Sequence, residues 1–273
     1  MSQFPADCLH NIFEFLEEDK NTLYSCLLVN RLWCEVSVRI LWRDVLEFEL
    51  PKGILCALFA FFSDETKELL RKSEIIIPTL KSPLFNYISF CNAFSITAID
   101  EAIDDFLDTS SGEDLFEDPY DPYKGVDLLK EEILKMLFKH ITTLKKLSYY
   151  SCYWKENCWK YPVNFTHFLE AKDCLMKLSE LRCDSDVLPE IFSQLSKICH
   201  NIKSLDIEFK DYPSSELTEL ISSQNNLEHL SLSTHMDVLD IQIVILIPLT
   251  KQFNTITRLT LQNYEPISFI FYS

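Results

Sequence analysis

The chain has 273 residues, 47% of them hydrophobic, enough to bury a sizeable core in one domain or two. Its 42 acidic against 25 basic residues leave a formal charge of −17, which argues against nucleic acid as the main ligand, because phosphate binding needs a surplus of Lys and Arg on some face. Only three glycines are present, too few for a Gly-rich phosphate loop.

In chain order, the first element follows Pro5. Leu9, Ile12, Phe13 and Leu16 fall at i, i+3, i+4 and i+7 and predict a helix with one apolar stripe. Pro5 suits its first turn, where a backbone N–H has no partner in any case. After the acidic turn Glu17-Glu18-Asp19, Leu23, Cys26 and Leu27 share a face of a second helix, and Trp33, Val36 and Ile40 open a third. Three helices this short bury their stripes poorly by themselves, so part of the surface is expected to meet a partner. The alternative is a helical hairpin closed on its own core.

This segment resembles an F-box, the helical module by which substrate receptors dock onto a Skp-type adaptor and through it a cullin. Pro5, Asp7, Leu9, Ile12, Phe13, Leu16, Leu23, Cys26, Val29, Arg31 and Trp33 match the family pattern in order, with Trp42 following. Phe4 stands where the family usually has Leu and keeps its bulk. The resemblance covers residues 1–45. It implies adaptor contacts from Phe4, Pro5, Leu9, Ile12, Phe13, Leu16, Leu23, Leu27, Val29 and Trp33.

Residues 46–75 read as a helical linker whose buried face is Leu55, Leu58, Phe59 and Phe62. Cys91-x-x-Phe94-x-Ile96, followed by Ile99, Ile103, Phe106 and Leu107, reads as a strand and then a helix. Residues 108–126 are rich in acids and turn formers and read as an acidic loop. Lys130, Lys135, Lys139, Lys145 and Lys146 alternate with Glu131 and Glu132 and predict a solvated helix face rather than a binding site.

After residue 140 one template recurs: Leu144-x-x-Leu147-x-Tyr149, Leu178-x-x-Leu181-x-Cys183, Ile202-x-x-Leu205-x-Ile207, Leu227-x-x-Leu230-x-Leu232 and Ile256-x-x-Leu259-x-Leu261. The last two apolar positions alternate with polar ones, as a strand buried on one face requires, and helical patterns around Ile191–Cys199 and Leu217–Ile221 lie between copies. Strand and helix repeated at such intervals resemble leucine-rich repeats. The Asn or Cys usual in the turn after the strand is replaced by Asp186, Lys210, His235 and Tyr264 in all but the copy carrying Cys152, so the resemblance is to the irregular repeats of F-box proteins. The expected fold class is therefore α plus α/β, a small three-helix F-box followed by an irregular leucine-rich-repeat α/β solenoid over 76–273. Alternation sends Lys146, Ser148, Tyr150, Glu180, Arg182, Asp184, Ser204, Asp206, Glu208, His229, Ser231, Ser233, Arg258, Thr260 and Gln262 to solvent. Of these, Tyr150, Arg182, Asp184, Asp206, Glu208, His229 and Arg258 are the candidate substrate-binding residues.

No constellation for catalysis or cofactor binding is found: Cys152 and Cys158 are not a CxxC pair, and no cofactor or metal is expected. The N-terminus carries no secretory pattern, the longest apolar run (Ile54–Phe62) is too short for a bilayer, and the ten cysteines read as reduced thiols. An intracellular protein, cytoplasmic or nuclear, is expected, with no membrane and no nucleic acid among its partners. The expected role is the non-catalytic substrate-recognition subunit of a Skp–cullin–F-box ubiquitin ligase, docking an unknown protein substrate through the solenoid. The alternative is a leucine-rich-repeat scaffold with a vestigial or non-degradative F-box. The last residues, Ile267–Ser273, read as an apolar strand without the polar cap a repeat array needs, so a partner at that edge or a truncated product is implied.

Overall fold

The computed structural model describes residues 5–47, 50–78, 80–81, 83–110, 124–150, 163–210, 214–234 and 255–262. The chain forms two compact units, Met1–Leu144 and Lys145–Ser273, and the boundary falls inside the stretch whose spacing reads as one array.

The first unit opens with three helices: α1 (Ala6–Glu14), α2 (Lys20–Cys26) and α3 (Arg31–Leu41). Each start has a local cause. Pro5 precedes α1 and its carbonyl accepts the N–H groups of Cys8 and Leu9. The Asp19 and Asn30 side chains accept the N–H groups of Thr22 and Trp33, each at 3.0 Å, capping α2 and α3. Next come α4 (Lys52–Phe59), with Leu55, Leu58 and Phe59 buried, and α5 (Asp64–Lys72). The charged run of α5 shows no apolar stripe in the sequence; capped by Ser63, it buries Leu70. It ends in a left-handed turn at Glu74 (φ 62°), and the Ile75 N–H closes onto the Leu70 carbonyl at 3.0 Å.

Strand β1 (Ala93–Ser95) leads directly into α6 (Ile96–Ser110), and α7 (Lys124–His140) follows. The two helices thus occupy both ends of the expected acidic loop, whose centre, 111–123, lies outside the described residues. Buried Leu129, Ile133, Leu134, Leu137 and Phe138 line α7. Lys130 corrects the expected solvated face. It is fully buried and its ammonium pairs with Asp100 on α6 at 2.7 Å, a partner thirty residues away that helix periodicity does not reveal.

The second unit is built on five parallel strands in chain order: β2 (Lys146–Tyr149), β3 (Glu180–Asp184), β4 (Ser204–Phe209), β5 (His229–Thr234) and β6 (Arg258–Gln262). Helices α8 (Ala171–Leu175), α9 (Pro189–Ile198) and α10 (Ser215–Ser222) lie between strands, as parallel pairing demands. The register aligns the repeat template: Leu147, Leu181, Leu205, Leu230 and Leu259 stand side by side.

Hydrogen bonds recur with the same period. The carbonyls of Lys145, Ser179, Lys203 and Glu228 each accept two consecutive N–H groups at the head of the next strand. In the turns that lead into β4 and β5, Cys199 Sγ donates to the Leu175 carbonyl and Gln224 Nε2 to the Cys199 carbonyl, while Gln224 Oε1 accepts the Ile202 N–H. Buried Cys and Gln side chains thus satisfy backbone groups that no strand reaches.

One expectation fails at the last described strand. Leu259 and Leu261 are 50% and 43% exposed, whereas their register partners Leu230 and Leu232 are buried. Among the described residues no helix accompanies β6, whereas α9 and α10 follow β3 and β4.

Candidate docking surfaces

Two surfaces carry the candidate functional residues. In the first, α1 and α2 each pack on α3 around Leu9, Phe13, Leu23, Cys26, Val36, Ile40 and Leu41, with Leu16, Leu27, Leu32, Trp33 and Trp42 partly buried against them. Phe13 and Trp33 meet edge to face at 5.2 Å between ring centres. Arg43 closes the module: its guanidinium bonds both Glu14 oxygens and Glu17 Oε1, tying the chain after α3 to the end of α1. The hydrogen bond from Arg43 holds the Glu14 carboxyl below its ordinary range, and the same bond raises Arg43.

The adaptor contacts implied by the resemblance therefore fall into groups. Leu9, Phe13 and Leu23 are buried in the module's own core, a correction imposed by the packing of two helices on α3. Leu16, Leu27 and Trp33 are half-buried, Pro5, Ile12 and Val29 are exposed, and Phe4 lies outside the described residues. Three apolar residues missed in the sequence join the exposed group: Phe15 at 91%, Leu28 at 89%, and Tyr24. At 100° per residue, Pro5, Cys8, Ile12 and Phe15 span an arc of about 80° on α1, beside the buried arc of Leu9, Phe13 and Leu16. The signal for them was present: a helix whose apolar positions exceed one stripe has apolar surface left over once the core is closed.

The second surface is the strand face of the Lys145–Ser273 unit. β4 and β5 alternate buried and part-exposed residues, so Ser204, Asp206 and Glu208 on one strand and His229, Ser231 and Ser233 on the next share a face. Arg182 is part-exposed and bonds Glu180 at 2.6 Å, and Arg258 is exposed. Tyr150, after β2, is half-buried; desolvation first, then the nearby Asp206 and Glu208 carboxylates, push its phenol up.

Two residues depart from the expected alternation. Ser148 is buried, and Asp184 is fully buried, its carboxylate 2.6 Å from Lys210 Nζ. Asp184 ends its strand where the chain turns: Oδ1 accepts the Asp186 N–H, and Ser185 Oγ accepts the Lys210 N–H. These side chains do the work of the missing turn Asn or Cys, which removes Asp184 from the solvent-facing set. Cys152, His235 and Tyr264 lie outside the described residues.

Burial pushes the thiols of Cys91 and Cys199 up to about 12 and raises that of Cys183 well above its ordinary value, the opposite of what a nucleophilic thiolate requires. Among the described residues no group of three His, Cys, Asp or Glu side chains is placed to hold a metal ion, and no helix is long and apolar enough to cross a membrane.

Residues 1–47 match the family model described as F-box-like, over the segment that contains α1, α2, α3 and Arg43. Domains of that family bind Skp-type adaptors, and the proteins that carry them are typically non-catalytic adaptors. No curated protein and no solved structure matches the chain.

Proposed function

We propose that the chain is the substrate-recognition subunit of a Skp–cullin–F-box ubiquitin ligase. The observation that carries this reading is a coincidence: the F-box-like match over residues 1–47 falls on the module that leaves Ile12, Phe15, Leu28 and Val29 exposed around a closed core. Apolar side chains held on short capped helices favour burial against a partner. In this reading residues 1–45 dock the adaptor, 46–75 form a helical linker, and 76–273 form an irregular leucine-rich-repeat solenoid. The aligned template leucines and the recurring carbonyl bonds support such a solenoid, and its strand face, with Tyr150, Arg182, Asp206, Glu208, His229 and Arg258, takes the cargo. The adaptor and a cullin place the complex inside the cell, and the chain itself carries out no covalent step.

The test is made on cargo in cells. Proteins whose levels rise when this chain is removed, and fall again with the wild type but not with a Phe15→Ala, Leu28→Ala variant, establish the ligase role. Bound proteins that change location at constant level establish the scaffold with a non-degradative F-box.

A further inference from the structure

The strand face carries one carboxylate whose surroundings differ from those of its neighbours. Of the ionisable side chains on β2 to β4 and the turns that follow them, Lys146 and Arg182 lie at 4.0 and 2.6 Å from Glu180, and Asp184 is neutralised by Lys210. Glu208 also interacts with other groups. Asp206 makes no hydrogen bond or ion pair among the described residues, although the Arg182 guanidinium stands on the neighbouring strand in the same row. Glu180 holds that guanidinium. Across the other edge of β4, Asp206 stands beside Ser231, and Ser204 beside His229, whose Nδ1 is buried without a hydrogen-bond partner.

Adjacent positions thus present a negative charge and two hydroxyls, with the part-exposed His229 ring beside them. They sit on inner strands about 4.8 Å apart, fixed by ladders on both sides. A half-buried carboxylate on a rigid strand is a stronger acceptor than a mobile surface one, because little entropy is lost in ordering it and less water competes. A partner group that matches it is a cation with several donors.

We propose that this patch seats a lysine or arginine side chain of the protein partner, the cationic group on Asp206 with Ser231 and His229 alongside. The proposal rests on the reading of the strand face as the cargo surface and names the chemistry that face selects. Asp206 sets the charge preference, and the paired residues around it contribute shape.

The probe is a set of ten-residue peptide pools, each random except for one central residue fixed as Arg, Lys, Asp or Leu, retained on the immobilised full-length chain. Wild type is expected to hold the Arg and Lys pools about tenfold better than the Asp pool. Asp206→Asn, nearly isosteric, brings the ratio close to one, and Asp206→Lys inverts it. Ser231→Trp, which fills the face without changing charge, lowers retention of every pool. Circular dichroism melts confirm that each variant folds. If Ser231→Trp lowers retention while Asp206→Asn leaves the basic preference intact, the strand face holds cargo and the assignment to Asp206 is overturned. If neither substitution changes retention, the strand face itself fails as the cargo surface and the proposal fails with it. Equal retention of basic and acidic pools by the wild type overturns the proposal alone.

Discussion

The helical module at the start of the chain and the strand face of the second unit present opposite kinds of surface. The module ties its ends together with a part-exposed ion network, Arg43 bridging Glu14 and Glu17, and leaves Phe15 and Leu28 almost fully in water. On the strand face leucines are buried beneath, and hydroxyls, the Asp206 and Glu208 carboxylates and the His229 ring stand on top. Burying apolar side chains gives affinity with little discrimination, whereas fixed hydrogen-bonding groups discriminate among partners because a mismatch leaves a group unsatisfied. One surface is suited to a constant partner, the other to selecting a variable one.

The largest effect that breaks this contrast is on the module's core. Phe13→Ala should cost about 3–5 kcal/mol, because it removes the ring packed on Trp33 from a core shared by three short helices. Chemical denaturation followed by tryptophan fluorescence measures it, and a loss below about 1 kcal/mol contradicts the core assignment. On the other unit, Asp184→Ala should cost about 3–5 kcal/mol by breaking the buried pair with Lys210, without touching the adaptor.

Phe15→Ala and Leu28→Ala sharpen the contrast from the other side. Each should leave stability within about 0.5 kcal/mol and weaken adaptor binding roughly tenfold to a hundredfold, the equivalent of about 1.5–3 kcal/mol of side-chain burial. Calorimetric titration with the purified adaptor reads this directly. Under mild alkylation Cys8, exposed on the same arc as Ile12 and Phe15, should react well before buried Cys183 and Cys199, and its adduct should hinder the adaptor. Mass spectrometry of the native protein locates the label.

The smallest effect is acid sensitivity of the module. Glu14 titrates lower in the folded state than its ordinary 4.5, so its bond to Arg43 adds stability above that pH. The contribution is lost as pH falls from 4.5 through the folded value. Arg43→Met should flatten the module's melting temperature across that window, and an unchanged acid slope would remove the Arg43 clamp from the account.

Much of this was legible in the sequence, for reasons that can be traced residue by residue. Leu9, Phe13 and Leu16 announce α1 because a core-facing stripe imposes its spacing, and the template leucines align in the sheet because register follows which side is buried. What escaped depends on tertiary partners. Lys130 looked like a surface charge because Asp100 lies on another helix. Asp184 broke the alternation because it serves a turn and not the face. The exposed role of Phe15 emerges only once α3 has taken Leu9 and Phe13, since periodicity says which residues share a face and not which face is covered.

The most direct test is binding of a purified Skp-type adaptor to the chain, wild type beside an Ile12→Ala, Phe15→Ala, Leu28→Ala variant whose melting curve matches the wild type. Tight wild-type binding that the folded variant loses is the predicted result. Absent wild-type binding, or binding unchanged in the variant, contradicts the assignment of these exposed side chains as the docking surface.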